Sequence, residues 1–195
     1  MKSIKILIRF ILTSISRFFY NMYGFCFFIL NGSSIKKPLH LNKLKYLKVG
    51  KNVTIDSFGR LDCYESSHTL PNLVIGDNTM IGFNFTALCS TDLIIGKNVL
   101  IASHVFISTE DHGNNPECGK KYLSQELISK PVYIEDNVWI GEKVTICKGV
   151  RIGKFSIIGA NSVVTKDVQE YCMVAGIPAQ IIKKYNFKTH MWEKI

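Results

Sequence analysis

Acidic residues are almost missing from the first part of this 195-residue chain: residues 1–60 hold eleven Lys or Arg and a single acid, Asp56. Residues 61–195 hold thirteen bases and fourteen acids, so the formal net charge of +9 belongs to the start of the chain and the body is close to neutral. A nucleic-acid-binding body would carry its bases across the docking face, interleaved with aromatic rings, and the neutral body argues against one. Closely spaced cysteines are lacking too. The six, at 26, 63, 89, 118, 147 and 172, are never nearer than 25 residues, so no Cys-x-x-Cys zinc or redox site exists. Thiols so dispersed fit a reducing cytoplasm better than a stapled secreted scaffold. With 47% hydrophobic and 20% charged residues, the chain has what a packed core needs, and general disorder is excluded.

The basic start has its own pattern. Lys2, Lys5, Arg9, Thr13, Ser16 and Arg17 recur at three- to four-residue steps, separated by Ile4, Leu7, Ile8, Ile11, Leu12, Ile15, Phe18 and Phe19. That is a basic amphipathic helix. The uncharged, Phe-rich run from Phe18 to Leu30 is thirteen residues long and broken by Asn21 and Gly24, short of the roughly 20 residues a membrane span requires. A span begun at Ile4 would carry Arg9 and Arg17 into the bilayer, and Arg17 also interrupts the apolar core a signal peptide needs. The expectation is a first domain, residues 1–35, that lies on the cytoplasmic face of a membrane. A helix packed on the body or on a neighbouring subunit is the alternative.

From Ile134 the chain reads in sixes. Ile134, Ile140, Ile146, Ile152, Ile158 and Val164 are all aliphatic, and Val132, Val138, Val144 and Val150 form a second register two residues earlier. The unit also occurs upstream, as Val49-Gly50-Lys51-Asn52, Ile75-Gly76-Asp77-Asn78, Ile81-Gly82-Phe83-Asn84 and Ile95-Gly96-Lys97-Asn98. A period of six is neither helical nor a simple alternation; it marks a parallel β-helix whose hexapeptides form the flat faces of a triangular prism, over residues 36–185. Glycine and asparagine suit its corners, where the chain turns and visits positive φ. Two stretches break the rhythm: residues 62–72, and residues 109–131. An excursion as long as the second is uncommon in a compact domain without a functional reason. Residues 186–195 read as a C-terminal tail.

The stretch from about Val49 to Tyr185 resembles the hexapeptide-repeat acyltransferases, in the branch of galactoside and maltose O-acetyltransferases, and within it the lipopolysaccharide O-antigen biosynthesis O-acetyltransferases. The resemblance is carried by Leu100 to Ser108, Asp111-His112-Gly113, Val138-Trp139-Ile140-Gly141, Ile158-Gly159-Ala160-Asn161-Ser162-Val163-Val164, Ala175-Gly176-Ile177-Pro178-Ala179, and Lys183 to Phe187. It implies an all-β, left-handed prism, a homotrimer with the active site between neighbouring prisms, and acetyl transfer from acetyl-CoA to a sugar hydroxyl without a metal. The implied acceptor is a saccharide or lipid-linked glycan.

Each implied role has a chemical basis. A hydroxyl is a poor nucleophile at neutral pH, and an imidazole is the side chain whose ordinary pKa lets it take that proton. His112 aligns with the family's catalytic histidine, with Glu110, Asp111 or a backbone carbonyl as candidates to orient it. Asn84 and Asp92 match sugar-contacting positions, and both hydrogen-bond hydroxyls readily. For acetyl-CoA the resemblance points to Trp139, Gly141, Glu142, Ala160, Thr165, Lys166, Gln180 and Lys183. Gln180 stands where the branch carries arginine, and Glu142 where it carries a small hydroxyl residue. His104 is expected to face outward, and His68 to be solvated. Serine, a free sugar or a xenobiotic remain as other acceptors. A γ-carbonic-anhydrase-like protein holding a metal on His68, His104 and His112 is the reading from a different class.

Overall fold

The computed structural model describes residues 32–36 and 39–195; the helix expected in residues 1–30 lies outside them. Three parallel sheets form the sides of a left-handed prism. The first face stacks Ser34–Ile35, Thr54–Ile55, Met80–Ile81, Leu100–Ile101, Trp139–Ile140, Ile157–Ile158 and Cys172–Gly176. The second stacks Leu39–Leu41, Gly59–Cys63, Thr86–Cys89, Phe106–Ser108, Thr145–Ile146 and Val163–Val164, and the third Leu47–Val49, Asn72–Ile75, Asp92–Ile95, Val132–Ile134 and Arg151–Ile152. The chain passes from first face to second to third and back, so each inner strand pairs in register with the coil before and the coil after: Leu100 lies between Met80 and Trp139, Ile107 between Ala87 and Ile146.

The aliphatic period is the interior. Ile134, Ile140, Ile146, Ile152, Ile158 and Val164 are all buried, as are Val132, Val138, Val144 and Val150. Each such side chain contributes about 1.5–3 kcal/mol by leaving water, and within the stack the same positions cover one another, as Ile101, Ile140 and Ile158 do. The alternating residues point outward, which leaves a column of Met80, Leu100 and Trp139 exposed on the first face.

Glycine and asparagine divide the corners between them. Positive φ angles recur on Asn52, Asn78, Asn98, Asn137, Phe155 and Tyr171 at the corner from third face to first, and on Phe58, Asn84, His104, Lys143 and Asn161 at the corner from first to second. The corner glycines do something else. A Cβ on Gly76 would lie 2.5 Å from the backbone of Gly96 in the next coil, so glycine is needed there for the close approach of stacked turns rather than for φ. At the first of these corners the asparagine side chains form a ladder: Asn52 donates to Asn78 at 3.2 Å, Asn78 to Asn98 at 3.2 Å and Asn98 to Asn137 at 3.3 Å. Above Asn137 the ladder changes to rings, with Phe155 and Tyr171 stacked 5.3 Å apart.

Residues 62–72 are shorter as an insertion than the broken rhythm implies. Asp62 and Cys63 belong to the strand Gly59–Cys63, opposite Leu88 and Cys89. Asp62 is buried, and a buried acid inside a strand is what hides the period there. At the far end the chain turns at Gly176 and runs back as Ala179–Asn186, antiparallel to Cys172–Gly176; residues 186–195 then add the further antiparallel strand Met191–Lys194. The five described cysteines are free thiols.

Candidate functional site

The remaining corner, from second face to third, carries no ladder. The chain leaves it at 64–71 in one coil and at 109–131 two coils later, so both insertions rise from one edge of the prism. Thr109, fully buried, anchors the longer one: its N–H donates to Leu88 O at 2.9 Å, and its hydroxyl accepts the Ser90 N–H at 2.8 Å. The excursion then pairs with itself, Glu110–Asp111 lying antiparallel to Ile128–Ser129, and the Lys130 N–H closes the base on Thr109 O at 2.9 Å. Ser108 stiffens the departure by receiving the Glu110 N–H at 3.0 Å and donating to the Glu110 carbonyl at 2.7 Å. Further out, the Gln125 amide bonds Asn115 and Lys120, and Gly113 has no room for a Cβ, which would meet Gln125 and Glu126 at 2.6–2.9 Å.

The two insertions touch. Glu126 accepts from Ser67 Oγ at 3.1 Å and pairs with His68 Nε2 at 3.1 Å. The first insertion is itself pinned by Glu65, whose carboxyl is pulled down to about 2 by hydrogen bonds from Tyr46 and Lys45.

His112 stands exposed at the end of the hairpin's first strand. Alternation along Glu110–Asp111 puts Glu110 and His112 on one side and Asp111 on the other. Asp111 is taken up by Lys148 Nζ from the next coil. Glu110 is half-buried; burial raises its carboxyl above the ordinary range, the charge of Asp62 adds to that, and a Ser90 hydrogen bond and the His112 charge oppose it. Its Oε2 is buried without a hydrogen bond. Asp62 beneath is held by Arg60 Nε at 2.6 Å and Tyr64 OH at 2.9 Å, with His40 Nε2 3.0 Å away. Carboxylates, hydroxyls and the exposed imidazoles of His40, His68 and His112 thus gather at a single edge, and an accessible imidazole is a group that can take a proton from a hydroxyl.

The structure brings together some of the residues that the sequence singles out and separates others. Asp92 opens the third face beside this edge, its carboxylate accepting from Asn72 at 2.9 Å and Tyr133 OH at 3.2 Å. Asn84 sits on a different corner, from first face to second, where its amide bonds His104 Nδ1 at 2.9 Å and the His104 ring packs on Phe83. Trp139, half exposed, stands outward on the first face in a row with Ile157, Met173 and Lys183. Gly141 lies under Ala160, whose N is 2.7 Å from where a Cβ would be, and Glu142 accepts the Ser103 N–H at 3.1 Å. Gln180 pairs with Ala175 on the same side. Six of the eight residues expected to meet acetyl-CoA therefore share the first face and its corner. Thr165 and Lys166 follow the strand Val163–Val164 and lie exposed at the second-to-third corner. His68 and His104 are on different corners, and among the described residues no three His, Cys, Asp or Glu side chains group as metal ligands. Lys148 and Ser90 were not singled out from sequence; both reach the hairpin from other coils, and only the register reveals that.

Residues 131–166 match the bacterial transferase hexapeptide family (six repeats). The chain is 34% identical over 174 residues, 86% of each chain, to the putative lipopolysaccharide biosynthesis O-acetyl transferase WbbJ of Escherichia coli (strain K12). It is 37% identical over 154 residues to the galactoside O-acetyltransferase of the same organism, covering 79% of this chain and 71% of that one. Among solved structures, a hexapeptide-repeat acetyltransferase from Vibrio cholerae superposes with a TM-score of 0.54 at 28% identity, covering 80% of this chain and 72% of that one.

Proposed function

The chain belongs to the bacterial hexapeptide-repeat transferases and is an acyltransferase, and from that premise we propose that it moves an acetyl group from acetyl-CoA to a sugar hydroxyl of a surface-polysaccharide precursor, of the O-antigen, lipopolysaccharide or capsule kind, with His112 as general base. The observation that carries the reading is the edge built around His112: an exposed imidazole on a hairpin anchored at Thr109, with Glu110 and the buried Asp62 behind it. The His112 imidazole takes the proton as the acceptor oxygen attacks the thioester carbonyl. Collapse of the tetrahedral intermediate breaks the carbon–sulfur bond, and the imidazolium returns the proton to the departing thiolate.

The separation of residues within one chain supports a homotrimer. His112 and Asp92 are at one edge of the prism, whereas Asn84, Trp139, Gly141, Glu142, Ala160, Gln180 and Lys183 are on the first face and its corner; a second prism laid alongside brings the two sets to one cleft. In that cleft Trp139 meets the thioester end of the donor. The backbone beside Gly141 and Ala160, bare of bulky side chains, accommodates the pantetheine arm, and Lys183 and Lys166 meet phosphates. WbbJ carries lipopolysaccharide biosynthesis in its name, and the basic residues 1–60 fit an enzyme working at the anionic cytoplasmic leaflet, where lipid-linked acceptors reside. Among the described residues no helix is long and apolar enough to cross a membrane.

The test is transfer of labelled acetyl from acetyl-CoA by the purified protein to a panel of saccharides, serine and xenobiotic acceptors, beside His112→Ala. Saccharide acetylation lost by at least about a thousandfold in His112→Ala, with acetyl-CoA binding kept, is the expected outcome. Turnover of serine or a xenobiotic in preference to every saccharide, or near-normal transfer by His112→Ala, overturns the reading.

A further inference from the structure

A base carried on a hairpin that leaves the prism needs something to fix its orientation. The register places the next coil's corner against the hairpin root, since Phe106 and Ile107 pair with Thr145 and Ile146. Two residues of that corner grip the two strands of the excursion separately. Lys148 Nζ is ion-paired with Asp111 Oδ2, on the outgoing strand. Gly149, at φ +80, leaves the space that the Lys130 side chain of the returning strand fills; a Cβ there would lie 3.0–3.8 Å from it.

The Lys148 side chain is only 20% exposed, while that of Asp111 is 63% exposed. A pair with one partner mostly in water adds little to stability, so its effect is geometric. We propose that Lys148 is a positioning residue for acyl transfer: by holding Asp111 on one side of the outgoing strand it turns the next side chain, His112, to the other, beside Glu110. This rests on His112 being the base. Lys148 itself touches neither substrate.

The experiment uses the full-length enzyme and its Lys148→Met, Lys148→Arg, Asp111→Asn and Lys148→Met/Asp111→Asn variants, reading kcat, both KM values and acetyl-CoA binding. Lys148→Met is expected to lower kcat about 10- to 100-fold, the cost of a displacement near 1 Å at the reacting centre, with the acetyl-CoA KM and binding within about twofold of the parent. Lys148→Arg restores most of kcat, and the double variant is no slower than the slower single one, because the two residues act as a unit. Unchanged kcat in Lys148→Met overturns the proposal. So does a raised acetyl-CoA KM at unchanged kcat, which would make Lys148 a donor contact. Loss of acetyl-CoA binding in both Lys148 variants also overturns it, by showing a structural role. If His112→Ala is inactive while Lys148→Met is fully active, only this inference fails; if His112→Ala is active, the base assignment fails first.

Discussion

Two corners of the same prism solve the same turning problem in opposite ways. From third face to first, the coils repeat one solution: a left-handed residue in every turn, a glycine pressed on the coil beyond at Gly50, Gly76, Gly96 and Gly153, and from Asn52 to Asn137 an amide that passes its hydrogen bond to the next. From second face to third, no position repeats. Thr109, Ser108, Ser90, Glu110 and Lys148 each make a bond with no counterpart one coil away, and a buried carboxylate oxygen is left without a partner. Repetition yields stability that any coil can supply, whereas the proposed chemistry uses one imidazole, that of His112, at one height. The irregular corner is where the fold departs from its own rule, and unsatisfied groups concentrate at such places.

The sharpest break of this comparison is to remove the irregularity. Replacing residues 110–129 by a two-residue turn joins Thr109 to Lys130, which are already hydrogen-bonded. Transfer is expected to fall by three orders of magnitude or more, as for loss of a general base with its orienting groups, while the thermal midpoint moves by only a few degrees, roughly the effect of losing a surface hairpin. A collapsed melting transition would show that the excursion is part of the scaffold. Next in size, Ile140→Ala opens a cavity between Ile101 and Ile158 and should cost about 2–5 kcal/mol in denaturant unfolding. A cost below about 1 kcal/mol would mean that the coils do not depend on one another's packing.

Asn98→Ala tests the repeated corner itself. It removes two ladder bonds and puts a Cβ with no polar partner at positive φ, for a loss of about 2 kcal/mol. Asn98→Gly, which keeps the φ, should lose about half as much. Equal losses would make the ladder, not the backbone, the whole of the effect. Smallest is Glu110→Gln. Burial holds this carboxyl above its unfolded value, so the folded state binds the proton more tightly and stability rises as the pH falls through the raised value. At pH 7 the charge is therefore a burden, and Gln should raise stability by no more than about 0.5 kcal/mol, with the gain vanishing in acid. A loss of stability at pH 7 would show that the attraction to His112 outweighs burial.

The prism was legible in the sequence because its interior obeys a period. Ile134 to Val164 name the inward positions one by one, and His112 stands out because it lies three residues past Thr109, where the period stops. Roles that depend on neighbouring coils were not legible. Glycine and asparagine look interchangeable at a corner until Gly76 is seen against Gly96. Asp62 and Cys63 read as insertion because a buried acid breaks the aliphatic code. Lys148 carries no signal of its own: the strand register brings it to Asp111, and the excursion between them spreads the pair over 37 residues of sequence. The distribution of Asn84 and His112 over two corners likewise follows from counting coils, not from either residue.

The antiparallel hairpin at the far end has a consequence for the molecule in bulk. A stack of identical coils is a crystal in one dimension, and its last strand offers an unpaired edge with the spacing and direction of one more coil; left bare, it is a template on which another prism could add end to end. Here the final strands, Ala179–Asn186 and Met191–Lys194, run against the grain of the sheet, and Lys183 faces Lys194 across them. An incoming parallel strand meets the wrong polarity and like charge. On the first face, the hairpin thus disfavours the end-to-end addition of another prism.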